Sequence, residues 1–89
     1  MQNQMERADL IVRAVLRDIL ALDEVRVADF TDDSELFGAL PELDSMAVAG
    51  LLTEVEDRAD ILIDDDEVDG EIFETFGNLV AFVARKMTG

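Results

Sequence analysis

Between Met5 and Ile19 the apolar residues return every third or fourth position: Met5, Ala8, Ile11, Val12, Val15, Leu16 and Ile19, with Glu6, Asp9, Arg13, Arg17 and Asp18 on the other face. That spacing builds an amphipathic helix over about 3–21 and is wrong for a half-buried strand, whose apolar residues would alternate. The period returns twice. Val48, Leu51, Leu52 and Val55 form the inner stripe of a helix predicted over about 44–59, with Glu54, Glu56 and Asp57 outside the stripe. Phe76, Leu79, Val80, Phe82 and Val83 face inward on a last helix over about 76–87, with Thr75 as its cap and Arg85 and Lys86 in its final turn, where cations suit the helix dipole. Asp64-Asp65-Asp66-Glu67 puts acids at the start of a short helix over about 66–73. Ile61-Leu62-Ile63 has no partner strand nearby and reads as an extended connection feeding the core. The expectation is an all-α fold in a single domain, 1–89: a four-helix bundle with a long first loop and a short third helix.

The long loop spans about 22–43, where the periodicity fails and the only proline, Pro41, occurs. A structureless stretch of roughly 20 residues is unusual in a compact domain and has to be pinned by side chains. Val25, Val27, Phe30, Leu36, Phe37 and Leu40 are the candidate pins, and Thr31 or Asp33 could cap one short turn. Gly50 costs the second long helix roughly 1 kcal/mol against Ala, which suggests close approach by a neighbour.

Composition narrows the function. The hydrophobic fraction of 49% in 89 residues is enough for a small core. There is no His and no Cys, so no Ser-His-Asp or Cys-His arrangement can form, and no disulfide or Cys-based zinc site. Carboxylates are too numerous for one catalytic pair to stand out, and a small set of helices offers no glycosidase-type cleft. Free-standing catalysis is therefore not expected. The formal charge is −15, from 22 acids against 7 bases. This disfavours nucleic acid and anionic membranes and favours basic protein surfaces. No stretch approaches the roughly 20 apolar residues of a membrane span, and the N-terminal residues have no basic or apolar segment of a signal peptide. A soluble, cytoplasmic monomer is expected. Asp65, Glu67, Asp69 and Gly70 match the first half of a calcium loop, but Phe76 stands where the bidentate Glu should be, so no metal site is expected.

One polar residue remains singular. Ser45, in Leu40-Pro41-Glu42-Leu43-Asp44-Ser45-Met46-Ala47-Val48, sits where the irregular segment gives way to a helix. A serine there can be an ordinary N-cap. Asp44 could equally take the cap and leave the Ser45 hydroxyl exposed in the first turn, beside free amides and the positive end of the helix dipole, where a phosphodiester would be favoured.

Asp44-Ser45-Met46, opening an amphipathic helix halfway along a short acidic chain, resembles the Asp-Ser-Leu motif of acyl carrier proteins. Ile61-Leu62-Ile63-Asp64 and Thr75-Phe76-Gly77-Asn78-Leu79 resemble the family's segments after the motif helix and at the start of the last helix, so the similarity covers nearly the whole chain. The resemblance implies an acyl-carrier-like bundle and a 4′-phosphopantetheine arm, moved from coenzyme A onto Ser45 by a phosphopantetheinyl transferase. It implies an acyl thioester on the arm's thiol, as in lipid and fatty acid biosynthesis, and delivery to acyl-activating ligases, acyltransferases or synthases, the carrier itself catalysing nothing. Asp44 would belong to the motif. Met46, Ala49 and Gly50 would form the docking face, with Glu54 and Asp57 at its edge. The sequence departs from the family where Met46 replaces Leu and where Ala47-Val48-Ala49-Gly50 carries no acid, which points away from general fatty acid synthesis and towards a dedicated pathway. Leu43–Val48 followed by Asp64-Asp65-Asp66-Glu67 is also similar to carriers linked to bacterial exosortase and exopolysaccharide loci. An aminoacyl or peptidyl carrier on the same fold, or an unmodified acidic adaptor for a basic protein, are the competing readings.

Overall fold

The computed structural model describes residues 3–88. Residues 1, 2 and 89 of the expected domain, and the Asp65 side chain of the calcium-loop comparison, lie outside the described residues. Helix α1 spans Gln4–Leu20; Asn3 caps it by accepting from the Glu6 amide at 2.8 Å, and it ends at Ala21 in a left-handed conformation, φ 56°. Ala8, Val12, Val15, Leu16 and Leu20 are buried. Met5 and Ile19, assigned to that stripe from the spacing, are exposed, and Leu20 takes the inward position at the helix end.

The irregular segment opens with a helix the periodicity did not reveal: α2, Glu24–Ala28, capped by Asp23. It is one short turn with one buried residue, Val27, too little for a pattern. Val25, expected as a pin, is 71% exposed. The pins are Val27, Leu36, Leu40 and Leu43, all buried, with Phe30 stacked on Phe76 at 5.5 Å between ring centroids. Phe37 is exposed on one side and meets Phe73 edge-on.

Helix α3 spans Ser45–Ala59, and α4 spans Phe76–Thr88 with Thr75 Oγ1 accepting from the Asn78 amide. α1 packs along both α3 and α4, which touch each other only briefly. The inward residues expected of α4, Phe76, Leu79, Val80, Phe82 and Val83, are all buried. Between α3 and α4 the predicted short helix is two 3₁₀ turns, Asp65–Glu67 and Gly70–Phe73. The break follows from Asp69, whose carboxylate accepts from the Glu71 and Ile72 amides and so caps a fresh turn instead of continuing the first.

Backbone bonds stitch the long loop to the start of α4. The Phe76 amide donates to Ser34 O at 2.7 Å, Gly77 to Asp32 O at 3.0 Å, Leu36 to Glu74 O at 3.3 Å and Phe37 to Phe73 O at 3.1 Å, with Glu35 and Thr75 forming an isolated antiparallel bridge. The close approach anticipated at Gly50 occurs at Gly77 instead. A Cβ on Gly77 would lie 2.7 Å from Asp32 O, whereas one on Gly50 would meet only Ile19 Cγ2, at 4.0 Å. Gly77→Ala is therefore expected to destabilise by about 2 kcal/mol, because backbone and not a flexible side chain must give way; Gly50→Ala is expected to be neutral or stabilising. Urea unfolding of the two variants checks this contrast.

The 3₁₀ segment is tied to α4 by an ion pair, Lys86 Nζ to Glu67 Oε2 at 2.8 Å. The Lys86 ammonium, helped by the Asp64 amide, holds the Glu67 carboxyl below the usual carboxylate range. The folded value being the lower one, the pair stabilises at neutral pH, and its contribution is lost as pH falls below about 4 and through the folded value. The difference in Tm between the native protein and Lys86→Met is expected to be present at pH 7 and to close in strong acid.

Candidate functional site

The approach to α3 is fixed on both sides of Pro41. Leu40 and Leu43 are buried, and Glu42 Oε2 pairs with Arg26 Nη1 of α2 at 2.9 Å. The Arg26 guanidinium holds the Glu42 carboxyl below its ordinary range. Asp44 then adopts extended backbone, φ −113° and ψ −176°, and its Oδ1 accepts from the Ala47 amide at 2.8 Å while its carbonyl accepts from Val48. The cap is therefore Asp44. Ser45 is the first residue of the helix, exposed, and its hydroxyl makes no hydrogen bond among the described residues. The first amides of any helix have no acceptor within it, so Ser45 Oγ stands at a polar, electropositive helix end. The first turn of α3 contains no acid.

Ser45 also opens onto a groove of about 430 Å³ between α3 and the connection that follows it, lined by Val48, Ala49, Leu52, Thr53, Glu56, Ile63 and Val68. Val48 and Leu52, assigned to the inner stripe, are only half-buried and belong to this groove; Leu51 and Val55 alone carry the stripe into the core. Glu56, placed outside the stripe by spacing, is half-buried in the groove, where its Oε2 accepts from the Ile63 amide at 2.7 Å. Val48, Leu52 and Glu56 recur every four residues and so form one row along the helix. That row was the signal available in the sequence for Glu56.

The expected docking residues are separated by their surroundings. Met46 is 86% exposed, and Ala49, Gly50 and Asp57 are exposed along the same side of α3. Glu54 is half-buried and held by Arg58 Nε at 2.9 Å, and the same guanidinium donates to Asp18 Oδ2 at 2.7 Å, joining α3 to α1. Its charge is thereby largely neutralised. Among the described residues no group of acids is arranged to hold a metal ion, and no helix is long and apolar enough to cross a membrane.

Among solved structures, the solution NMR structure of a holo acyl carrier protein from Nitrosomonas europaea matches the chain over 100% of both lengths, at 42% identity and a TM-score of 0.82. The chain belongs to the acyl carrier protein family. No protein-family model and no curated protein sequence matches it. The all-α carrier fold expected from the sequence is thus the fold of this carrier, and the head of α3 brings Asp44, Ser45 and Met46 to solvent, with the Ser45 hydroxyl unbonded among the described residues.

Proposed function

We propose that this carrier bears its acyl group on a 4′-phosphopantetheine arm attached to Ser45 Oγ. The observation behind the proposal is the division of labour at the helix start: Asp44 takes the cap, so the Ser45 hydroxyl is exposed and makes no hydrogen bond among the described residues. The site suits a phosphodiester because the Ser45 and Met46 amides lie at the positive end of α3, where an anion is favoured. The arm supplies a thiol for thioester formation, which a chain without Cys does not have. The protein's part is to hold Ser45 outward, keep its first helical turn clear of acids and offer the adjacent groove.

A phosphopantetheinyl transferase using coenzyme A would install the arm, and acyl-activating ligases, acyltransferases or synthases would use it. Met46, Ala49 and Gly50 give these partners an apolar docking face, with Asp57 exposed beside it and Glu54 already engaged by Arg58. A face with so little charge beside the attachment point fits a dedicated acyl-transfer pathway, with the carrier working as a cytoplasmic monomer. The test is incubation with coenzyme A, magnesium and a broad-specificity transferase, followed by intact mass and peptide mapping. The expected result is a single phosphopantetheine adduct on the Ser45 peptide. No adduct under conditions that load a control carrier overturns the proposal.

A further inference from the structure

Four acids among the described side chains are half-buried, and three of them have a cation: Asp9 pairs with Arg13, Glu54 with Arg58 and Glu67 with Lys86. Glu56 is the fourth. Among the described residues it has no basic partner; its Oε2 accepts from the Ile63 amide, and its Oε1 accepts from no described residue. No Lys or Arg lines the groove it shares with Ser45. The other polar side chain lining that groove, Thr53, is exposed and spends its hydroxyl hydrogen on Ala49 O at 3.0 Å, leaving only acceptor capacity. The groove is thus apolar at Val48, Leu52, Ile63 and Val68, and its polar positions beyond Ser45 accept hydrogen bonds without offering any.

A half-buried carboxylate without a cation offers a bound ammonium an ion pair less screened by water than one at the open surface. We infer that the groove recognises cargo carrying a protonated amine, with Glu56 as the group that selects it. This inference rests on the attachment of the arm at Ser45. The reach is adequate. Eleven helical steps take α3 from Ser45 to Glu56, roughly 16 Å at about 1.5 Å each, and an extended phosphopantetheine chain is about as long as five extended residues, roughly 17 Å. A carboxylate-ended cargo is disfavoured there by like charge, and a plain alkyl cargo leaves Glu56 unpaired.

The experiment loads the protein, through the transferase, with amide-linked coenzyme A analogues ending in β-alanyl, butyryl or succinyl groups. Amide chemical shifts are then compared with those of the unacylated holo form. The β-alanyl form is expected to perturb Glu56, Ile63 and Val68 several-fold more than the butyryl form and to raise Tm above it, with the succinyl form showing the smallest response. Glu56→Gln keeps an acceptor for the Ile63 amide and so preserves the groove wall; in it the β-alanyl and butyryl responses should become equal. Equal responses in the native protein, a larger succinyl response, or a β-alanyl response unchanged in Glu56→Gln would overturn the inference while leaving the attachment reading intact. Failure to load any of the three analogues would remove the arm, and both readings with it.

Discussion

Ser45→Ala is expected to abolish arm attachment entirely while leaving unfolding free energy within about 0.5 kcal/mol of the native value. The two halves of that result have separate causes. Attachment needs the hydroxyl oxygen, and alanine has none. Stability is spared because the side chain that satisfies the helix end belongs to Asp44, whose Oδ1 accepts from the Ala47 amide. Asp44→Ala is the complementary variant: it should cost about 1 kcal/mol, the usual value of an N-cap, and keep the acceptor oxygen for modification. Urea unfolding and intact mass after transferase treatment, run on both variants, separate capping from modification. A Ser45→Ala protein as destabilised as Asp44→Ala would make Ser45 part of the cap. One that still gained the adduct would move the attachment to another hydroxyl.

Arg13→Met is expected to cost about 3 kcal/mol, a large part of the total for a chain of this size, where roughly 0.05–0.15 kcal/mol per residue is typical. Arg13 leaves α1 sideways and holds the long loop. Its guanidinium donates to Val27 O and to Phe30 O, pairs with Asp9, and lies 4.6 Å from the centroid of the Phe76 ring. Methionine retains the apolar stem, so the loss isolates the guanidinium: two part-buried carbonyls lose a charged donor, each worth about 1.5 kcal/mol or more, and the ring contact adds about 0.5 kcal/mol. Urea unfolding measures the loss. Hydrogen exchange should locate it, with protection falling first across α2 and residues 29–36. A loss below about 1 kcal/mol would mean that the loop is held by Leu36, Leu40 and Leu43 without Arg13.

Arg13 also shows what could and could not be read from the chain. In a helical-period reading it falls on the polar face of α1, and nothing local distinguishes it from Arg17, which remains near solvent. α1, α3 and α4 were legible because each buries a continuous stripe against another helix, so period and burial coincide. The loop was illegible because its order comes from backbone bonds to residues 73–77 and from a charged side chain on another element. The groove side of α3 was misread for a related reason. Val48 and Leu52 have the right spacing for core, but on that flank α3 faces the irregular connection bearing Ile63 and Val68 instead of a helix, so they remain half-covered. The helix start was legible to within two residues, Asp44 or Ser45, because capping is local chemistry; that Asp44 takes the cap is seen only in the bond its Oδ1 accepts from the Ala47 amide.

The seam between residues 32–37 and 73–77 has a consequence for the order in which the chain becomes a protein. The loop precedes α3 in the sequence, yet its backbone partners, at residues 73–77, lie beyond α3 and leave the ribosome after it. Until they arrive, the carbonyls of Asp32 and Ser34 and the amides of Leu36 and Phe37 have only water, and the ring of Phe30 has no Phe76 to stack on. Closing contacts of this sequence separation is slow relative to helix formation. The α1 segment can turn helical during synthesis, but the segment that orients the head of α3 settles only once α4 has been made. Ser45 therefore reaches its final setting only after residues 73–77 have emerged and paired with the loop that precedes it.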